Sequence, residues 1–189
     1  MVALTFHGDG DPDLAVRVLN ALTAGAAPST IFAVGSWLED NPGLARRALG
    51  GGHELANHTY RHLSMGQLGG EEVSEEIDRC RAVLAAQVGP AGLAWFRPSA
   101  MVEPNELVLA RAGLSGYPTV IGYDVDSLDQ QDPGSAAVVA NVVAGVRAGS
   151  IVSLHLGHQG TLEALPGVLG ALTAARLRPV TVSTLLAGG

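Results

Sequence analysis

An α/β fold built on a parallel sheet is what this sequence predicts, and three observations carry the expectation. Short β-type runs alternate with longer amphipathic stretches, the pattern of repeated βα units. A chain of 189 residues, 47% of them hydrophobic, can bury one full core and fits one domain, 1–189, better than two. The third observation is positional: His7, Asp9, His58, Arg97, Asp124, Asp126 and His155 all fall at or just beyond the C-terminal ends of different expected strands. Closed barrels and open doubly wound sheets both build their sites at that edge, and scattered surface charges would not choose it.

The elements follow in order. Strands are expected at 2–6, 30–34, 54–57, 94–97, 119–123, 151–155 and 180–183, where apolar and β-branched residues run together. Between them lie "DLAVRVLNALTAG", "NPGLARRALGGG", "EEVSEEIDRCRAVLAAQVG", "EPNELVLARAG", "GSAAVVANVVAGVRAG" and "TLEALPGVLGALTAARL". Several carry Asp, Asn, Ser or Thr at the front and Gly at the back, as helix caps require. Pro166 falls within the last, so that helix is expected to start late or kink.

Composition removes several function classes. The net charge is −7, from 18 acidic and 11 basic residues, and no Lys/Arg cluster is interleaved with aromatics, which argues against nucleic acid as a partner. Cys80 is the single cysteine, so neither a disulfide framework nor a thiolate metal site is available; its helical spacing reads as a buried residue. No apolar run approaches the roughly 18 residues a membrane span needs. The start "MVALTF" lacks the features of an export signal.

The chemistry-bearing motifs have bland readings to overcome. "NHTYRH" sets His58 and His62 four residues apart. In a helix this brings the Cβ atoms to about 6 Å, close enough to share a metal at about 2.1 Å per nitrogen, whereas in a strand they would lie about 13 Å apart. A metal site therefore calls for a helical turn here; a lone HxxxH is otherwise a pair of solvated or capping rings. Two imidazoles need a carboxylate as third ligand and an open position for water to make a hydrolytic centre. The opening stretch "LTFHGDGDPDL" supplies candidates, although Asp11 before Pro12 also reads as a helix N-cap. His155 closes the strand run "SIVSLH" as either a satisfied buried ring or an acid or base. Arg97 in "RPS" could simply pair with a carboxylate, Asp132 before Pro-Gly shapes a turn, and no serine sits in a G-x-S-x-G context.

Taken together, "LTF", "TIFAVGSWLEDNPGLARRALGGGHELANHTYRH", "WFRP", "YDVDSLD" and "IVSLH" resemble the polysaccharide deacetylases, the NodB-type or family 4 carbohydrate esterases. The resemblance implies a distorted (β/α)7 barrel that removes N- or O-acetyl groups from a glycan such as peptidoglycan, chitin oligomers or acetylxylan, using zinc or a similar divalent ion. It implies that His58 and His62 hold the metal, that His155 is the general acid, that Arg97 orients the base and that Asp126 tunes the acid histidine. The family's opening Thr-Phe-Asp-Asp-Gly-Pro is replaced by Thr5-Phe6-His7-Gly8-Asp9-Gly10-Asp11-Pro12. Keeping order gives Asp9 as base and Asp11 as metal ligand; a one-residue insertion would instead give Asp9 as ligand and His7 as base. Ala100, Met101, Gln130 and Leu156 also depart from the pattern, at positions that touch the substrate groove more than the metal. A non-catalytic glycan-binding relative and an amidase acting on a small non-sugar substrate are the alternatives. Members commonly act outside the cytoplasm, so an exported enzyme with an acetylated glycan as its partner is implied.

Overall fold

The computed structural model describes residues 1–92 and 94–188. Its strands β1 (Val2–Gly8), β2 (Thr30–Ala33), β3 (Glu54–Asn57), β4 (Val125–Asp126), β5 (Ile151–His155) and β6 (Pro179–Val180) form one sheet in the order β3-β2-β1-β5-β4, with β6 also on β1. The chain clusters into two compact units, Met1–Ile31 with Arg47–Glu54 and Tyr123–Gly189, and Phe32–Arg46 with Leu55–Gly122.

In the first unit, β1 is buried along nearly its whole length, as a strand covered on both faces should be. It runs parallel to β5 in a register that pairs Ala3 with Ile151 and His7 with His155, and parallel to β6; β4 runs parallel to β5. Helix α1 (Pro12–Ala24) buries Ala15, Val18, Leu19 and Leu22, one stripe at helical spacing, and packs on α7 (Gln159–Ala174), which also meets α6 (Ser135–Gly145). Helix α7 starts at Gln159 and carries Pro166 inside it, earlier than the proline suggested. Expected strand 180–183 ends at Val180, because the Thr181 hydroxyl accepts the Thr184 N–H and caps α8 (Val182–Ala187).

The second unit holds α2 (Gly35–Asp40), α4 (Gly70–Val88) and α5 (Glu106–Leu114); α3 (Leu44–Gly50) begins in it and ends in the first. Its core gathers Met65, Val73, Ile77, Phe96, Val108, Ala112 and Tyr117, and Cys80 of α4 is fully buried. The expected strands at 94–97 and 119–123 shrink to single parallel bridges, Phe96 to Asn57 and Phe96 to Val120. Pro98 and Pro118 bound these runs; proline has no N–H to extend a ladder.

Candidate active site

In the first unit the chemistry gathers where β1 and β5 end. The parallel register puts His7 beside His155, with ring centroids 4.4 Å apart. His7 Nε2 lies 3.4 Å from the Ser153 hydroxyl, one of the side chains that share a face of β5 at the strand's period of two. His155 donates its Nδ1–H to Asp129 Oδ1 at 2.8 Å and its backbone N–H to Asp129 Oδ2 at 2.7 Å. The Thr161 hydroxyl donates to the same carboxylate, whose side chain is fully buried. Burial opposes a charge on His155, but the hydrogen bond and charge of Asp129, with Asp9 and Asp126 farther out, outweigh it and raise its pKa above the ordinary histidine value. Burial likewise pushes Asp129 up, and its bonds to His155 and Thr161 bring it below the usual carboxylate range.

Asp129 thus occupies the contact that the resemblance gave to Asp126. The Asp126 Oδ1 instead accepts the Leu128 N–H at 2.9 Å, and the charge of Asp126 reaches His155 only at longer range. The cause is local: Leu128 is left-handed, at φ 56°, so the chain turns back and presents the second aspartate of "DSLD" to the histidine.

The opening loop rests on the segment after β5. Asp11 Oδ1 accepts the N–H groups of Asp13 and Leu14, capping α1 with Pro12 in its first turn. Gly10 is left-handed at φ 74°, and a Cβ on Gly157 would fall 2.6 Å from the Asp9 carbonyl oxygen and 2.7 Å from the Asp11 nitrogen. A glycine two residues past His155 is therefore what lets the Gly-Asp-Gly-Asp loop lie there.

In the second unit His58 follows β3 directly and is fully buried. Its backbone N–H donates to the Ala33 carbonyl and its Nδ1–H to the Arg97 carbonyl, at 2.8 Å. A carbonyl can only accept, so in the neutral ring the lone pair is on Nε2, the form in which imidazole binds a metal. The His62 ring lies with its centroid 5.0 Å from that of His58. No helix achieves this: the intervening residues form a bend in which Thr59 and His62 are left-handed, at φ 69° and 57°. This turn is neither the helix nor the strand between which the four-residue spacing divides. Polar contacts fix it, with Asn57 Oδ1 accepting the Thr59 N–H, the Thr59 hydroxyl donating to Ser99 Oγ and the Ser99 hydroxyl donating to the Leu63 carbonyl. The carboxylate of Glu76, on α4, accepts the N–H groups of Tyr60 and Arg61. Arg97 is buried, donates to the carbonyls of Ile121 and Gly122, and stacks its guanidinium 4.1 Å from the Phe32 ring centre. The two neighbouring imidazoles, with the tautomer of His58 set by the Arg97 carbonyl, suit a divalent ion.

Sequence reasoning missed two residues. Asp129 stood in the quoted motif, three residues after the aspartate that was chosen. Glu76 had a fainter signal: it is a carboxylate on the same stripe of α4 as buried Val73, Ile77 and Cys80.

The family model described as polysaccharide deacetylase matches residues 1–120. A peptidoglycan-N-acetylglucosamine deacetylase of Bacillus cereus is 33% identical over 190 residues, spanning 98% of this chain and 88% of that protein. A chitooligosaccharide deacetylase of a Bradyrhizobium species is 34% identical over 189 residues, spanning 97% of this chain and 80% of that one. The structure of a family 4 carbohydrate esterase from Streptomyces lividans in complex with acetate superposes with a TM-score of 0.87 at 30% identity, covering 94% of this chain and 90% of the other.

Proposed function

The chain belongs to the polysaccharide deacetylase family, and from that premise we propose that it is a metal-dependent hydrolase removing acetyl groups from an N-acetylglucosamine-containing glycan. One observation carries the reading: His58 is buried and its Nδ1–H is given to a backbone carbonyl, with the His62 ring 5.0 Å away, which is how a ligand pair is prepared for a divalent ion.

On this reading His58 and His62 hold the ion, zinc or a similar one, with Asp11 of the opening loop as the carboxylate ligand. An ion held there would polarise an acetyl carbonyl and lower the pKa of a bound water so that it could act as the nucleophile. Asp9, oriented by Arg97, takes the attacking water's proton. A backbone amide near Ala100 stabilises the developing oxyanion. His155 carries the proton the departing amine needs. Asp129 keeps it there by holding Nδ1–H and stabilising the charged ring, so that Nε2–H is the donor. Residues 1–189 act as one deacetylase domain, outside the cytoplasm, on polymer. Among the described residues no helix is long and apolar enough to cross a membrane.

Acetate release from N-acetylglucosamine oligomers by the metal-stripped chain, with and without zinc, tests the proposal. Release that depends on zinc is expected. Tight zinc binding with no release from any oligomer length would overturn the substrate assignment.

A further inference from the structure

The turn that carries His58 and His62 is unfavourable by itself. A left-handed conformation costs an L-residue roughly 1–2 kcal/mol, and Thr59, being β-branched, is among the least suited to it. Such conformations persist where the surroundings over-determine them. Here the surroundings include a buried carboxylate. Glu76 Oε2 accepts the N–H of Tyr60 at 3.1 Å and the N–H of Arg61 at 2.7 Å, and Oε1 accepts Arg61 Nε–H at 2.7 Å. Successive backbone N–H groups in a turn form a concavity that binds anions, and here the anion comes from the protein's own helix. The Glu76 side chain is fully buried while that of Arg61 is 45% exposed, so the carboxylate has given up water for two amides and one half-solvated guanidinium.

We propose that Glu76 is a positioning residue for the His58–His62 pair: from α4 it holds the backbone at Tyr60 and Arg61, between the left-handed Thr59 and His62, in the turn that brings the two imidazoles together. This rests on the reading above of those histidines as the metal-holding pair. It goes beyond that reading in making the geometry of the pair depend on a carboxylate that touches neither ring nor ion.

Two conservative variants separate this role from simple charge pairing. Glu76→Asp keeps the charge but withdraws the oxygens by one methylene, out of reach of the two amides. Glu76→Gln keeps the reach and one accepting oxygen but removes the charge. With folding of both followed by circular dichroism, zinc affinity is measured by chelator competition, and exchange of the Tyr60 and Arg61 amides is followed in the metal-free chain. Glu76→Asp is expected to weaken zinc binding about 10- to 100-fold, the usual effect of losing a group that orients a metal ligand, to speed both amides, and to alter the visible spectrum of the cobalt-loaded chain. Glu76→Gln is expected to leave all three close to wild type. Zinc binding as weak in Glu76→Gln as in Glu76→Asp, or faster amide exchange with undiminished zinc affinity, would overturn the proposal. A wild-type chain that takes up no zinc would instead overturn the metal reading, and the exchange comparison would still decide whether Glu76 holds the turn.

Discussion

His58 and His155 both have their Nδ1–H fixed, at the same 2.8 Å, yet to different kinds of oxygen. His58, in the second unit, gives it to a backbone carbonyl. His155, in the first, gives it to a buried carboxylate. A carbonyl orients the ring and sets its tautomer without much favouring a second proton, which suits a residue that must offer a lone pair. A carboxylate does the same and also stabilises the imidazolium, which suits a residue that must deliver a proton. The partner's charge, more than the ring's burial, separates the two tasks.

Removing a ring breaks the comparison most completely. His58→Ala is expected to lose metal binding and acetate release together, to the background of the assay; a variant that kept the wild-type rate would remove His58 from the mechanism. A subtler change gives His155 the kind of partner His58 has. In Asp129→Asn a neutral carbonyl oxygen replaces the carboxylate, so the largest influence that raises the His155 pKa goes, while the charges of Asp9 and Asp126 and the opposing burial remain. The alkaline limb of the kcat/KM profile should move to lower pH, with a fall in kcat of about 10- to 100-fold. Stability should respond with the same sign. His155, raised in the folded state, stabilises fully below its unfolded value of about 6.5 and loses this as pH rises through its folded value; Asp129, depressed, stabilises fully above about 3.9 and loses this as pH falls through its own. Thermal melts of wild type minus Asp129→Asn should therefore show the largest difference between about pH 4 and 6.5. A difference that grew steadily above that window would contradict the pairing. The smallest effect is expected from Gly157→Ala, which crowds the seat of the opening loop and should cost about 1–3 kcal/mol in denaturant unfolding, with a modest loss of activity. No loss of stability would mean that the loop can shift without penalty.

Much of the fold could be read in advance because it is written in continuous apolar runs. β1, β2 and β5 lie close to their expected limits for this reason, and β3 matches its limits although only Leu55 and Ala56 in it are apolar. β4 was unreadable: Val125 stands between two aspartates, and only its pairing with β5 makes it a strand. The site divides in the same way. His7, His58, His155 and Arg97 stood out by position at strand ends, and Asp126 does raise the His155 pKa through its charge, but the direct bond comes from Asp129 by way of one left-handed residue, Leu128, which no periodicity reveals. The His58–His62 approach likewise came from a turn outside the helix-or-strand choice that spacing arguments allow.

Cys80 lies fully buried on α4; its thiol donates to the Ala33 carbonyl, and burial raises its pKa to about 12. It is the only sulfhydryl in the chain, so the folded protein offers no accessible thiol to oxidants or to neighbouring thiols. The speed with which an alkylating reagent finds Cys80 therefore reports how often α4 lifts from its bed, and the residue acts as an internal clock for the breathing of the half of the molecule that carries His58 and His62.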